Sequence, residues 1–316
     1  MGSSSTSAEV LADVAPGAAR RPSDLQLTAM LSVVILTWSA NFVIAKVALA
    51  ELPPLLVVGL RTLLTGLFIL PVYWWEQRSA EPRRWTAREA AKLFALGFVG
   101  VTINQGFFVI GIGLTTVAHA AIVVGLTPMV TLLVAILAGQ ERMNWRRLGG
   151  MILALAGLAS IQLLHRDAGP KPPSLVGDLF IFLSSLAFAL FGVFGKKVSG
   201  RYSSVTVNTF AYLGGGLALL PLTLWWALPV DFARVPAGAW ASLLYMALGP
   251  SLLGYLMFYA VLKHMAASRV LMFTYVNPVL AILLGIVFLA ERPGPALYLG
   301  GALVLAGVFV SEPRRS

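Results

Sequence analysis

The sequence predicts an all-α integral membrane protein of ten transmembrane helices, arranged as two inverted five-helix repeats (5+5). Three observations carry that prediction: the composition, the spacing of the apolar stretches, and a self-similarity at an offset of 150 residues. Of 316 residues, 58% are hydrophobic and 11% charged, whereas a soluble domain has about a quarter charged. Too few polar groups remain to cover a surface in water, which excludes a soluble fold. The net charge of +10 would serve nucleic acid only as a basic patch on a wettable domain, so no nucleic-acid partner is expected. With no cysteine, disulfide scaffolds, thiolate metal sites and cysteine catalysis are excluded.

A helix crosses a bilayer with about 20 apolar residues. Ten such stretches are predicted, at 27–48, 55–75, 89–111, 116–138, 145–164, 175–197, 205–227, 239–262, 268–289 and 296–311. Prolines or charge runs separate many of them, including Pro53-Pro54, Glu76 to Arg88 and Pro293-Gly294-Pro295. Thr86-x-x-Glu89 reads as a capping box that opens the third span. Residues 1–26 lack the apolar core of a signal peptide and read as a disordered cytoplasmic leader. The halves are then 27–164 and 175–311, joined by an outer linker at 165–174 and followed by a cytoplasmic tail at 312–316.

The positive residues orient the chain. With both termini in the cytoplasm, seventeen Lys and Arg fall on that side and five on the other, with Arg61 inside a span.

The offset of 150 pairs Lys46 with Lys196, Pro71 with Pro221, Trp75 with Trp225, Pro128 with Pro278 and Glu141-Arg142 with Glu291-Arg292. Five spans are an odd number, so the second copy must enter the membrane inverted. The basic residues move accordingly: the loop after span two and the first turn of span three carry five, while the counterpart loop after span seven carries only Arg234. Inverted repeats are the architecture of secondary transporters, with the substrate near the midplane between the halves.

The stretches Thr127-Pro128 to Gly157 and Asn277-Pro278 to Gly307 each run Pro, Glu-Arg, then a Gly–Leu–Gly pattern. Together with Trp38-Ser39-Ala40-Asn41-Phe42 and Leu60-Arg61, they resemble the drug/metabolite transporter superfamily, in its ten-helix exporter branch. The resemblance covers nearly everything after residue 26. It implies export of small metabolites, most like bacterial inner-membrane exporters of amino acids, including aromatic ones. It also implies that the glutamates at helix ends are structural.

Polar groups inside spans are costly and tend to face a cavity, which selects the candidate substrate-binding residues. These are Trp38, Asn41, Asn104, Gln105, Phe107, Tyr212, Tyr255, Tyr259, Tyr275 and Asn277. Amides and hydroxyls can serve both an ammonium and a carboxylate, and the aromatic rings give an apolar side chain a surface. Each could equally tie helices together. Lys46 and Arg61 read either as snorkelling cations or as attractors of a carboxylate at the outer mouth. His119 reads as a hydrated helix-end imidazole, with proton coupling as the alternative.

Pro128, Pro250 and Pro278 are expected to bend helices and free the carbonyls of Val124, Met246 and Thr274. The Gly214-Gly215-Gly216 run is expected to allow close helix contact, or else to act as a hinge. No carboxylate falls at mid-membrane, and no HExxH, GxSxG or Walker motif occurs. No catalytic residue, metal or cofactor is therefore expected. The partners are a small-molecule substrate, the lipid bilayer and, as one option, the proton gradient. A drug or nucleotide-sugar carrier, and a membrane enzyme or scaffold, stay open as alternatives.

Overall fold

A computed structural model describes residues 22–78, 85–163, 174–199, 201–264 and 276–311. The predicted tail, and nearly all of the predicted leader and linker, lie outside these residues.

Among the described residues the helices are α1 (Asp24–Glu51), α2 (Pro54–Arg78), α3 (Ala87–Leu114), α4 (Val117–Leu137), α5 (Trp145–Leu163), α6 (Leu175–Ser199), α7 (Ser204–Ala227), α8 (Ala237–His264), α9 (Val276–Leu289) and α10 (Pro295–Ser311). Seven of them, α1 to α4 and α6 to α8, are long and apolar enough to cross a membrane; Val276–Leu289 and Pro295–Gly307 are shorter apolar helices. The sequence predicted ten spans. In α5, Arg146 and Arg147 stand in the first turn and shorten the apolar run. The start of the predicted ninth span, 268–275, is outside the described residues.

Local chemistry sets the helix starts. Ser23 and Gln26 form a capping box at α1, with the Ser23 Oγ accepting from the Gln26 N–H at 3.2 Å. The predicted Thr86–Glu89 box opens α3 in the same way. Exposed apolar side chains such as Leu36, Leu67, Leu217 and Val287 mark surfaces suited to lipid. Trp74, Trp75, Trp225 and Trp226 are exposed near the C-terminal ends of α2 and α7, as in an interfacial aromatic belt.

Three helices are interrupted. α3 widens into a π turn at Phe98–Ile103 and α8 into another at Ala247–Gly254. These positions nearly coincide under the 150-residue offset. α4 breaks at Leu126, immediately before Thr127-Pro128.

The packing obeys the same offset. α2 packs on α7 and α5 on α10, while α3 on α6 corresponds to α8 on α1, and α4 on α6 to α9 on α1. The α5–α10 seam is reciprocal. A Cβ on Gly157 would lie 2.6 Å from the Gly300 carbonyl oxygen, and one on Gly307 would lie 2.5 Å from that of Gly150. Only glycine lets these backbones approach so closely. The glycine run of α7 also serves close contact: Gly214 lies against Phe94 and Gly215 against Thr102.

Candidate functional site

Two of the interruptions line one cavity, and the third ends immediately before the lining residue Asn104. The cavity measures about 110 Å³ and lies where α1, α2, α3, α4, α6, α8 and α9 converge. Irregular backbone at membrane depth is tolerated where it lines a cavity or is buried in protein. Here the break in α4 supplies Val124 and Thr127, and the π turn of α8 supplies Pro250.

One wall is aromatic. Trp38 packs edge-to-face on Phe188, with ring centroids 5.6 Å apart, and tilts against Tyr255 at 5.7 Å. Its indole N–H donates to the Pro250 carbonyl at 3.1 Å, using a carbonyl within the π turn. Phe42 and Phe108, themselves edge-to-face at 5.1 Å, continue the lining.

The polar lining is partly tied down. The Asn104 amide donates to the Ser184 carbonyl at 2.9 Å and accepts from the Tyr255 hydroxyl at 3.0 Å. The Ser39 hydroxyl donates to Asn277 Oδ1 at 2.9 Å. Gln105 donates to the Tyr212 hydroxyl at 2.9 Å, which in turn donates to the Ser251 carbonyl at 3.1 Å. Thr127 donates to the Val124 carbonyl, taking up a group the sequence expected Pro128 to free.

Of the predicted substrate residues, Trp38, Asn41, Asn104, Gln105, Tyr255 and Asn277 line this cavity. Tyr212 stands behind the lining and orients Gln105. Tyr259 does not line the cavity; it is buried against Phe191, with rings 5.3 Å apart, in the cluster that also holds Tyr212 and Tyr255. Phe107 packs on Phe180 instead, and its neighbour Phe108 faces the cavity. Tyr275 and Thr274 lie outside the described residues. So does the chain preceding α9, in which Pro278 is the third residue.

Arg61 also lines the cavity. It is 3% exposed, and its Nε donates to Ser251 Oγ at 2.7 Å. It neither snorkels nor sits with Lys46, because the hydroxyl of Ser251 in the α8 π turn holds it inward.

Lys46 and His119 belong to a second cluster, at the end of the bundle where α1 meets α2. The Lys46 ammonium donates to the Thr115 carbonyl at 2.7 Å and lies 3.9 Å from Glu291. Glu291 caps α4, accepting from the N–H groups of Val117 at 2.7 Å and Ala118 at 3.1 Å. The Thr115 hydroxyl donates to Asp178 at 2.6 Å, and the other Asp178 oxygen lies 3.1 Å from His119 Nδ1. His119 is thus buried beside a carboxylate rather than hydrated.

Sequence reasoning missed Asp178, Ser184, Ser185, Phe188 and Thr127. The offset itself could have found two of these, since Phe188 is the counterpart of Trp38 and Thr127 that of Asn277. Among the described residues, no group of three or more His, Asp and Glu side chains could hold a metal ion.

The EamA-like transporter family matches the sequence twice, over residues 26–163 and 175–311. The chain belongs to the EamA-like transporter family. This places it in the drug/metabolite transporter superfamily that the motifs resembled. The chain is 25% identical over 288 residues to an "Uncharacterized transporter" of Archaeoglobus fulgidus, covering 90% of this chain and 97% of that one. It is 29% identical over 233 residues to a "Probable terminal-alkyne amino-acid exporter" of Streptantibioticus cattleyicolor, covering 73% and 76%. It is 24% identical over 291 residues to a "Probable amino-acid metabolite efflux pump" of Salmonella typhimurium, covering 88% and 92%. A solved crystal structure shares the fold with a TM-score of 0.62 at 21% identity, covering 90% of this chain and 97% of that one. This EamA-like chain is a multi-pass membrane transporter and not an enzyme; the relatives are named as a transporter, an exporter and an efflux pump.

Proposed function

We propose that the protein exports amino acids, including aromatic and apolar ones, across the bacterial inner membrane. Transport proceeds by alternating access between two inverted five-helix halves, with ten spans and both termini cytoplasmic. The observation that carries this reading is the cavity, which sets an aromatic wall of Trp38, Phe108 and Phe188 against the polar groups of Asn41, Gln105 and Arg61. A free amino acid has the same two faces.

The cavity lining supports the alternating halves. Trp38 and Phe188, Gln105 and Tyr255, and Thr127 and Asn277 are three pairs of lining residues related by the 150-residue offset. A site built from equivalent positions of both halves can be presented to either side as the halves exchange conformations. Two of the relatives described above carry amino-acid export in their names.

Purified protein in liposomes tests the proposal. Preloaded amino acids, leucine and phenylalanine among them, should exchange with external label faster than in empty vesicles, and a parallel series with an imposed pH gradient reads proton coupling. If none of the twenty amino acids exchanges under either condition, the export reading fails.

A further inference from the structure

Among the described residues, three polar atoms around the cavity have no hydrogen-bond partner: Arg61 Nη1, Asn41 Oδ1 and Gln105 Oε1. All three residues line the same cavity and are at least nine-tenths buried, at 3%, 6% and 2% exposed. Arg61 makes no ion pair among the described residues. Ser251 fixes the guanidinium through Nε. Tyr212 fixes the Gln105 amide through its nitrogen, which leaves the oxygen as an acceptor. A buried guanidinium without a counter-ion is costly, and so is each orphaned amide oxygen. Arg61 and Gln105 are held in place by these neighbours rather than released to water.

One fixed cation and two neutral acceptors match the charged groups of a free amino acid. A guanidinium fork pairs with a carboxylate, and an ammonium donates to amide oxygens. We propose that Arg61 anchors the substrate carboxylate, with Asn41 and Gln105 receiving the ammonium. The site then selects compounds with a free carboxylate and rejects amines and esters of the same shape. This assignment rests on the amino-acid reading above and narrows it. It also reverses the sequence-based expectation of an outer-mouth attractor, because Arg61 acts inside the cavity.

The test uses four compounds on each of two side chains, those of leucine and phenylalanine: the amino acid, its methyl ester, its decarboxylated amine, and its deaminated acid. Thermal stabilisation of the detergent-solubilised wild type and competition in liposome exchange are read for each. The amino acid should bind best, the deaminated acid should keep part of its effect, and the ester and amine should be at least tenfold weaker. Arg61→Gln should lose that discrimination along with the amino-acid shift, and Arg61→Lys should keep part of both. The wild-type series needs no variant to fold. If the ester or amine binds within twofold of the amino acid, the anchor is overturned while the export reading stands. Binding of the deaminated acids without exchange of any amino acid overturns the export reading and leaves the anchor. Binding of no carboxylate at all overturns both.

Discussion

Trp38 and Phe188 meet edge-to-face within one wall of the cavity at 5.6 Å, and they are related by the 150-residue offset. Each is the other's counterpart, so the aromatic wall is a contact of one sequence position with itself. Trp38 differs from Phe188 by its indole N–H, which reaches the π turn of α8.

Aromatic pairs contribute about 0.5–1.5 kcal/mol beyond the area they bury. Trp38→Ala or Phe188→Ala should therefore raise the half-saturation concentration for an apolar amino acid about 2- to 13-fold. Trp38→Phe keeps a ring but loses the donor to Pro250 and should fall in between. Concentration-dependent exchange in liposomes reads the effect, with size-exclusion chromatography as the control for folding.

Glu291 neutralises the N-terminus of α4 with two hydrogen bonds. Its counterpart Glu141 is 43% exposed at the side chain and pairs with Arg147 at 2.7 Å. Glu291→Gln should cost about 1–2 kcal/mol, in the range of capping and helix-dipole effects, and Glu141→Gln less. Melting temperatures in one detergent rank the two; an equal drop would contradict the capping role.

Asp178 and His119 are both buried, and Thr115 bonds the same carboxylate. Asp178→Asn and His119→Gln should each destabilise, but the double variant should cost less than their sum, by about 0.5–3 kcal/mol. A denaturation cycle on the four proteins measures this coupling, and strict additivity would mean that the contact carries no energy.

Gly307→Ala places a Cβ 2.5 Å from backbone atoms of Gly150 and Ala154, which cannot move as a side chain could. Overpacking of this kind costs about 1–3 kcal/mol, and Gly157→Ala should behave alike. Gly149→Ala meets nothing within 4 Å and should leave the melting temperature unchanged.

Much of the cavity was legible because buried polarity is rare in this sequence, so Asn41, Asn104, Gln105 and Asn277 stood out. Phe107 and Phe108 show the limit. Neighbours on a helix point about 100° apart, and composition cannot choose between them. Arg61 reads as a snorkelling cation from one strand of sequence, since its partner Ser251 is 190 positions away. The π turn at Phe98–Ile103 has no proline to announce it. Ser184 and Ser185 resemble ordinary packing residues until their neighbours are known, and Asp178 looks like a helix-end carboxylate until Thr115 and His119 are seen to cover it.

The reciprocal seam between α5 and α10 bears on the proposed cycle. Gly157 meets Gly300 as Gly307 meets Gly150, so exchanging the halves reproduces the same contact. Its energy is therefore degenerate with respect to which half plays which role. A rearrangement that interconverts the halves leaves this seam neither gaining nor losing, and it can act as the fixed axle about which the other helices turn. Cross-linking α5 to α10 should then leave exchange intact, whereas cross-linking α1 to α9 should arrest it.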